Sequence, residues 1–260
     1  MPPSLSLAIT ALAAGLCATQ QNSSITYGES WAGPVQLQRN GTSPFNFVEA
    51  TIVVPSLQLP ASPHAQRDSY AASVWVGLDG YDSPAPSGLW QAGINMTIWA
   101  ADGSAAYNAW YEWVPDDYVE LDATQLAVAA GDHVRVQINA TDDGLHGSTT
   151  LTNLNTTQTF SYEQDAPTTW RGPTFPARGA SAEWIVEAGG NLFGQQDVFP
   201  DWGTVRFLDA RACRVNGECV LPGGPDLAVT AVKYNDTVYT RSREEGNSVS
   251  IDYIEEQVDR

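Results

Sequence analysis

The chain has 260 residues, with 30 acidic against 12 basic side chains and a net charge of -18 at neutral pH, a balance that argues against nucleic acid and anionic membrane as partners. Charged residues make up only 16% of it, below the usual share of about 25%, and Lys233 is the single lysine. Carboxylates in such surplus repel one another when ionised and are relieved when they hold protons, so the composition points to an acidic medium.

The first segment, residues 5–17, is apolar or small throughout; it fits the core of a secretory signal and is too short to span a membrane. We therefore expect a signal peptide over residues 1–19 and one domain over 20–260, secreted and extracellular. Asn22, Asn40, Asn95, Asn139, Asn155 and Asn235 each open an Asn-X-Ser/Thr triplet, the acceptor pattern of a secreted glycoprotein. Loss of the leader would remove Cys17 and leave Cys213 and Cys219, an even pair suited to a short disulfide loop.

After Ser30-Trp31-Ala32-Gly33, a strand is expected over 45–54, ending at Pro55, and a proline-rich loop follows over 56–68. Residues 70–80 alternate, with Val74, Val76 and Leu78 on one face and Ser73, Trp75, Gly77 and Asp79 on the other. Residues 89–98 do the same, so that Trp90, Ala92, Ile94, Met96 and Ile98 oppose Gln91, Gly93 and Asn95. An aromatic-rich strand over 105–114 places Trp110 and Glu112 opposite Tyr111 and Trp113. Further strands are expected over 118–129, 133–140, 148–154, 157–162, 203–208, 227–234 and 248–254. Between them, residues 181–187 send Ala182, Trp184 and Val186 to a core and Glu183, Ile185 and Glu187 to the other face. No stretch of ten residues holds a helical period, and short strands at regular spacing argue an all-β sandwich or barrel.

Histidine occurs only as His64, His133 and His146, without zinc-type spacing, so no metal site is expected. There is no Gly-x-Ser-x-Gly elbow and no placed base for a nucleophilic serine or cysteine, which leaves carboxylate chemistry. Glu183 and Glu187 lie four residues apart on one strand, about 13 Å, too far for a glycosidase pair at ~5 to 9.5 Å. Two schemes stay open on the residues alone. Glu112 and Glu183 could pair on neighbouring strands beside Trp75 and Trp110, as a sugar site would need. Alternatively Glu183 could activate water while the Gln91 amide holds an oxyanion.

Trp75-Val76-Gly77-Leu78-Asp79-Gly80, Leu89-Trp90-Gln91-Ala92-Gly93, Ala109-Trp110-Tyr111-Glu112-Trp113, Ala182-Glu183-Trp184-Ile185-Val186-Glu187 and Trp202-Gly203-Thr204-Val205, in that order, resemble the glutamic peptidases, the eqolisin family of fungal acid proteases. The resemblance runs from about Trp31 to Leu208. It implies a concanavalin-like antiparallel β-sandwich of two large sheets with a concave active-site face. It also implies a secreted acid endopeptidase that needs no cofactor and acts as a monomer on polypeptides. Gln91 and Glu183 fall on the family's catalytic pair, and Trp31, Trp75 and Asp79 on its cleft residues. Asn95 stands where the family has an acid, and a cysteine pair typical of the family is absent. The alternatives are a glycan-binding or glycan-cleaving sandwich, or an inactive member of the family.

On this reading activity falls at the acid extreme as Glu183 takes up a proton, near or below the ordinary glutamate value of ~4.3. Mutual repulsion among crowded acids would raise their pKa values, so that stability falls above about pH 5 and added salt restores part of it.

Overall fold

The computed structural model describes residues 25–62, 66–188 and 199–257, so the expected signal peptide and His64 lie outside the described residues. Sixteen strands and one short helix follow in order: β1 (Ile25–Gly28), β2 (Trp31–Leu37), β3 (Phe45–Val53), β4 (Ser69–Leu78), β5 (Trp90–Trp99), β6 (Ala105–Trp113), β7 (Val119–Glu120), α1 (Ala123–Leu126), β8 (His133–Ala140), β9 (His146–Asn153), β10 (Thr159–Asp165), β11 (Ser181–Ala188), β12 (Thr204–Arg214), β13 (Cys219–Val220), β14 (Leu227–Tyr234), β15 (Thr237–Glu245) and β16 (Ser248–Gln257).

The strands form one hydrogen-bonded path, β10-β9-β8-β3-β12-β16-β15-β14-β2-β11-β4-β5-β6-β7. All its pairings are antiparallel, and β1 adds to β14 in parallel. The path doubles over at β14, which pairs with β2 through Leu227–Thr230 and with β15 through Lys233 and Tyr234. One layer therefore runs from β2 to β7 and the other from β10 to β15. β3 and β8 of the second layer face β4 of the first. The expected sandwich is present, with its two sheets joined through a shared strand.

Alternation decides what lies between the layers. Val74, Val76, Trp90, Ile94, Trp113 and Trp184 of the first layer meet Val48, Ile52, Val136, Ile138 and Phe207 of the second in one buried cluster. Trp184 is wholly buried, and its indole N–H donates to the Glu49 carbonyl at 3.0 Å, a bond between the layers directly behind Glu183.

The strand expected over 118–129 is only two residues long. Asp122 accepts the amides of Thr124 and Gln125 at 2.8 and 3.1 Å while Gln125 Oε1 accepts the Asp122 amide at 3.0 Å, a capping box that turns the chain into α1. β1, β2, β13 and β15 carry no strand signal strong enough to place them. In β2 the sequence Gly33-Pro34 interrupts the pattern; Pro34 lies opposite Val229, and the recorded pairing to β11 skips both residues. A Cβ at Gly33 would lie 2.1 Å from the Trp184 carbonyl oxygen, so only glycine fits there. Cys213 and Cys219 form the expected disulfide, joining β12 to β13.

Trp184→Ala removes a fully buried ring together with its interlayer hydrogen bond. The expected loss of unfolding free energy is about 3 to 5 kcal/mol, read from urea denaturation curves.

Candidate active site

Register brings the candidate residues together. Glu183 on β11 is opposite Gly77 on β4, Gly77 is opposite Gln91 on β5, and Gln91 is opposite Glu112 on β6. Residues directly opposite share a face, so the four form a row across the first layer on the side away from the core. Glu183 and Gln91 are two strand spacings apart, roughly 10 Å between their backbones, and the residue between them has no side chain. A Cβ on Gly77 would meet the Trp75 ring at 2.9 Å, a Leu89 methyl at 3.1 Å and Gln91 Cβ at 3.3 Å. The next row reads Ile185, Trp75, Gly93 and Trp110, and the one beyond it Glu187, Ser73, Asn95 and Asn108. Gly93 makes room for Trp75, whose Cβ would lie 2.6 Å from a Cβ placed there.

This face is not the solvated display of acids that alternation alone suggests. Val35, Trp75, Trp110 and Ile185 form a second buried cluster, with Trp31, Tyr81 and Leu89 packed against it. Glu183 is wholly buried, and neither carboxylate oxygen has a hydrogen bond of good geometry among the described residues. Burial pushes its carboxyl well above the ordinary glutamate range and the charge of Asp79 adds to the rise, while the Ser181 hydroxyl and Tyr81 main chain beside it offset only part. Gln91 is also buried. Its Nε2 donates to Glu112 Oε2 at 2.7 Å, and its Oε1 has no partner among the described residues. Burial raises Glu112 too, the bond from Gln91 counters this, and the charge of Asp117 adds to it.

The three supporting candidates differ in what they touch. Trp31 stands edge-on to Trp75, ring centroids 4.9 Å apart, and the Trp75 indole N–H donates to Glu187 Oε2 at 2.9 Å. Glu187 is raised by burial, held back by Trp31 and Trp75, and raised further by Glu112. Asp79 is wholly buried just past the end of β4, with a left-handed φ of 67°. Its carboxylate accepts the amides of Gly179 and Ala180 at 2.9 and 2.6 Å and the Ser83 hydroxyl at 3.1 Å. It thus ties the loop entering β11 to the end of β4 and sets where Glu183 begins its strand.

Contacts added by the fold had no pattern to announce them. Asn95 accepts from the Ser73 hydroxyl and donates to the Tyr118 hydroxyl, and Tyr118 lies against Trp110 with centroids 5.3 Å apart. Tyr118 follows the turn at Pro115-Asp116-Asp117 and reaches back over the face, which only its partners reveal. Asn95 thereby binds β4 to the segment after β6 as a neutral link.

The chemistry this geometry allows is narrow. Glu112 and Glu183 stand at opposite ends of the row, three strand spacings or about 14 Å apart at the backbone, with Gln91 bonded to Glu112 between them. Among the described residues no group of three or more His, Cys, Asp or Glu could hold a metal ion. What the row offers is one wholly buried carboxyl and one anchored amide on the same face, with a glycine between them.

The chain matches the Peptidase A4 family over residues 29–253. It is 31% identical over 250 residues to aspergillopepsin-2 of Aspergillus niger, covering 88% of this chain and 78% of that protein. It is 30% identical over 239 residues to scytalidopepsin B of Scytalidium lignicola, covering 88% and 79%. Among solved structures it resembles scytalido-glutamic peptidase with a peptide based transition state analog, with a TM-score of 0.68, 27% identity, 88% of this chain and 100% of that one. It also resembles aspergilloglutamic peptidase from Aspergillus niger, with a TM-score of 0.60, 30% identity, and 71% and 99% coverage. A match along nearly the whole described length, joined to a row that sets one glutamate against one glutamine, shows that the chain belongs to the Peptidase A4 family of glutamic peptidases.

Proposed function

We propose that this glutamic-type endopeptidase cleaves polypeptides in acid by a Glu183–Gln91 dyad working across Gly77. The observation that carries the reading is the row itself: a wholly buried carboxyl and a glutamine amide fixed by Glu112, set on one face two strands apart with a residue between them that has no side chain. In the carboxylate form Glu183 takes a proton from water as the water oxygen attacks the peptide carbonyl carbon. The Gln91 amide, held at one N–H by Glu112, turns its other N–H to the oxyanion. Glu183 then gives its proton to the leaving amine as the C–N bond breaks. Trp31 and Trp75 wall the site for substrate, and Asp79 holds its entrance loop. Export belongs to the same reading, supported by the leader-like residues 5–17 and by a disulfide of the kind that forms in an oxidising compartment.

Glu183→Gln should leave no more than a few per cent of the activity on an unfolded protein in acid, and Gln91→Ala should lower it about 10²- to 10³-fold. Each should unfold as cooperatively as the parent. A polysaccharide assayed alongside should stay intact. An active Glu183→Gln enzyme, freed of contaminating protease, would remove the assignment.

The acid limb of kcat/KM reports the free enzyme's base. Because burial raises Glu183, that limb should lie above ~4.3 rather than at or below it. Activity that keeps climbing as the pH falls well below this value would take the base role from Glu183.

Stability follows the same groups. Asp79, Glu112, Glu183 and Glu187 all have raised folded-state pKa values, so the native chain holds protons that the unfolded chain has released. The stability they contribute is fully present below the unfolded value near ~4 and is lost as pH rises through the folded values. The melting temperature should therefore fall from about pH 4.5 towards neutrality, and less steeply in Glu183→Gln. The first cause in each case is burial, not the crowding expected from composition, so salt should restore little. Melting curves at two salt concentrations check this, and full recovery in salt would return the cause to repulsion.

A further inference from the structure

The outward face of the second layer carries a different chemistry. On β3, Phe47 stands opposite Asn139 of β8, which stands opposite Ser148 of β9; in the next row Glu49, Gln137 and Thr150 are aligned. Phe47, Gln137, Asn139, Ser148 and Thr150 line a cavity of about 350 Å³. Past Gln137 it meets a second, of about 490 Å³, where the bulge in β12 opens a space lined by Arg135, Asp209, Arg211 and Asn247. The floor is rigid, for Glu49 accepts from Arg211 Nε at 2.6 Å and from Gln137 Nε2 at 2.9 Å. Hydroxyl, amide and guanidinium groups around one half-buried ring make a surface for a polyhydroxylated ligand with one apolar face.

Asn139 opens the triplet Asn139-Ala140-Thr141 and is exposed between the buried Ile138 and Ala140. Its amide makes no side-chain hydrogen bond among the described residues, whereas that of Asn95 is taken up by Ser73 and Tyr118. We propose that Asn139 carries an N-linked glycan whose first sugars lie along Phe47 and the groove between β3 and β8. The amide Nδ2 forms a bond to C1 of the first sugar and loses one proton, as C1 parts from the pyrophosphate of a polyprenol-linked oligosaccharide donor. The apolar face of that sugar covers the Phe47 ring, and its hydroxyls meet Gln137, Ser148 and Thr150. Contacts too weak to hold a free sugar are populated here because the tether supplies an effective concentration in the millimolar range.

The proposal rests on the export reading, and a host leader separates the two. The full chain, expressed behind that leader in a eukaryotic secretory host, meets the transfer machinery whatever its own first residues do. Glycopeptide mass spectrometry should find hexosamine-based glycan on Asn139, and an unmodified Asn139 in the secreted protein would overturn the proposal. Asn139→Gln should lower the melting temperature by about 2 to 4 °C and leave peptidase activity unchanged, since the groove lies on the layer opposite Glu183. Phe47→Leu should destabilise the glycosylated protein more than the Asn139→Gln protein. Trimming to a single sugar should preserve that difference, and complete removal should abolish it. Equal effects in both backgrounds would refute the stacking on Phe47. Should Phe47→Leu not fold, amide exchange over residues 45–49 gives the same reading, slowed in the glycosylated protein and unslowed if the groove is empty.

Discussion

A carboxyl group held out of water resists ionisation, because the charged form loses its hydration and the few polar groups beside it return only part of that loss. Glu183 is in that state, and the surrounding structure is what keeps it there. Trp184 fills the core immediately behind it and ties its strand to the opposite layer. Val35 flanks it on β2, Asp79 fixes the loop by which its strand begins, and Gly77 beside it yields its side-chain space to Trp75, Leu89 and Gln91. Were water to reach the carboxylate freely, its pKa would return to the ordinary range and the group would be a weaker base.

The same constraint gives the acidic composition a specific meaning. Surface carboxylates such as Asp102, Asp122 and Asp143 accept local hydrogen bonds that hold their pKa values down, and they favour the fold when ionised. Glu183 and Glu187 of the first layer, raised by burial, favour it when protonated. Net charge is a poor guide to which group prevails, since the shifts come from burial in one set and from neighbouring donors in the other. Place in the fold separates them: the first set stands at exposed turns and a helix cap, the second on β11 in the first layer.

Much of this was legible in the sequence. β8 and β14 have the expected bounds, because their alternation is uninterrupted and turn residues flank them. The faces of β4, β5, β6 and β11 also follow from period two. β2 was hidden by Gly33-Pro34, and α1 by a capping box inside an apparently extended run. The resemblance named Gln91 and Glu183, and alternation put each on the non-core face of its strand. Neither could show that they share a row, which needs the pairing of β11 with β4 and of β4 with β5. Burial was equally hidden: a two-residue period tells which face a side chain takes, not what covers that face. The hold of Glu112 on Gln91 was hidden too, since it depends on a register between two strands.

The strand order also imposes a timetable. β4, β5 and β6 are consecutive in the chain and neighbours in the sheet, so Gln91 and Glu112 can meet as soon as residues 69–113 have left the ribosome. β11 must slot between β4 and β2, and β2 needs β14 on its other side, so the row is closed only when the last quarter of the chain has been made. Until then the Glu183 carboxyl has neither Gly77 beside it nor its dry surroundings. A chain built in this order can assemble the Gln91–Glu112 pair early and seats Glu183 late.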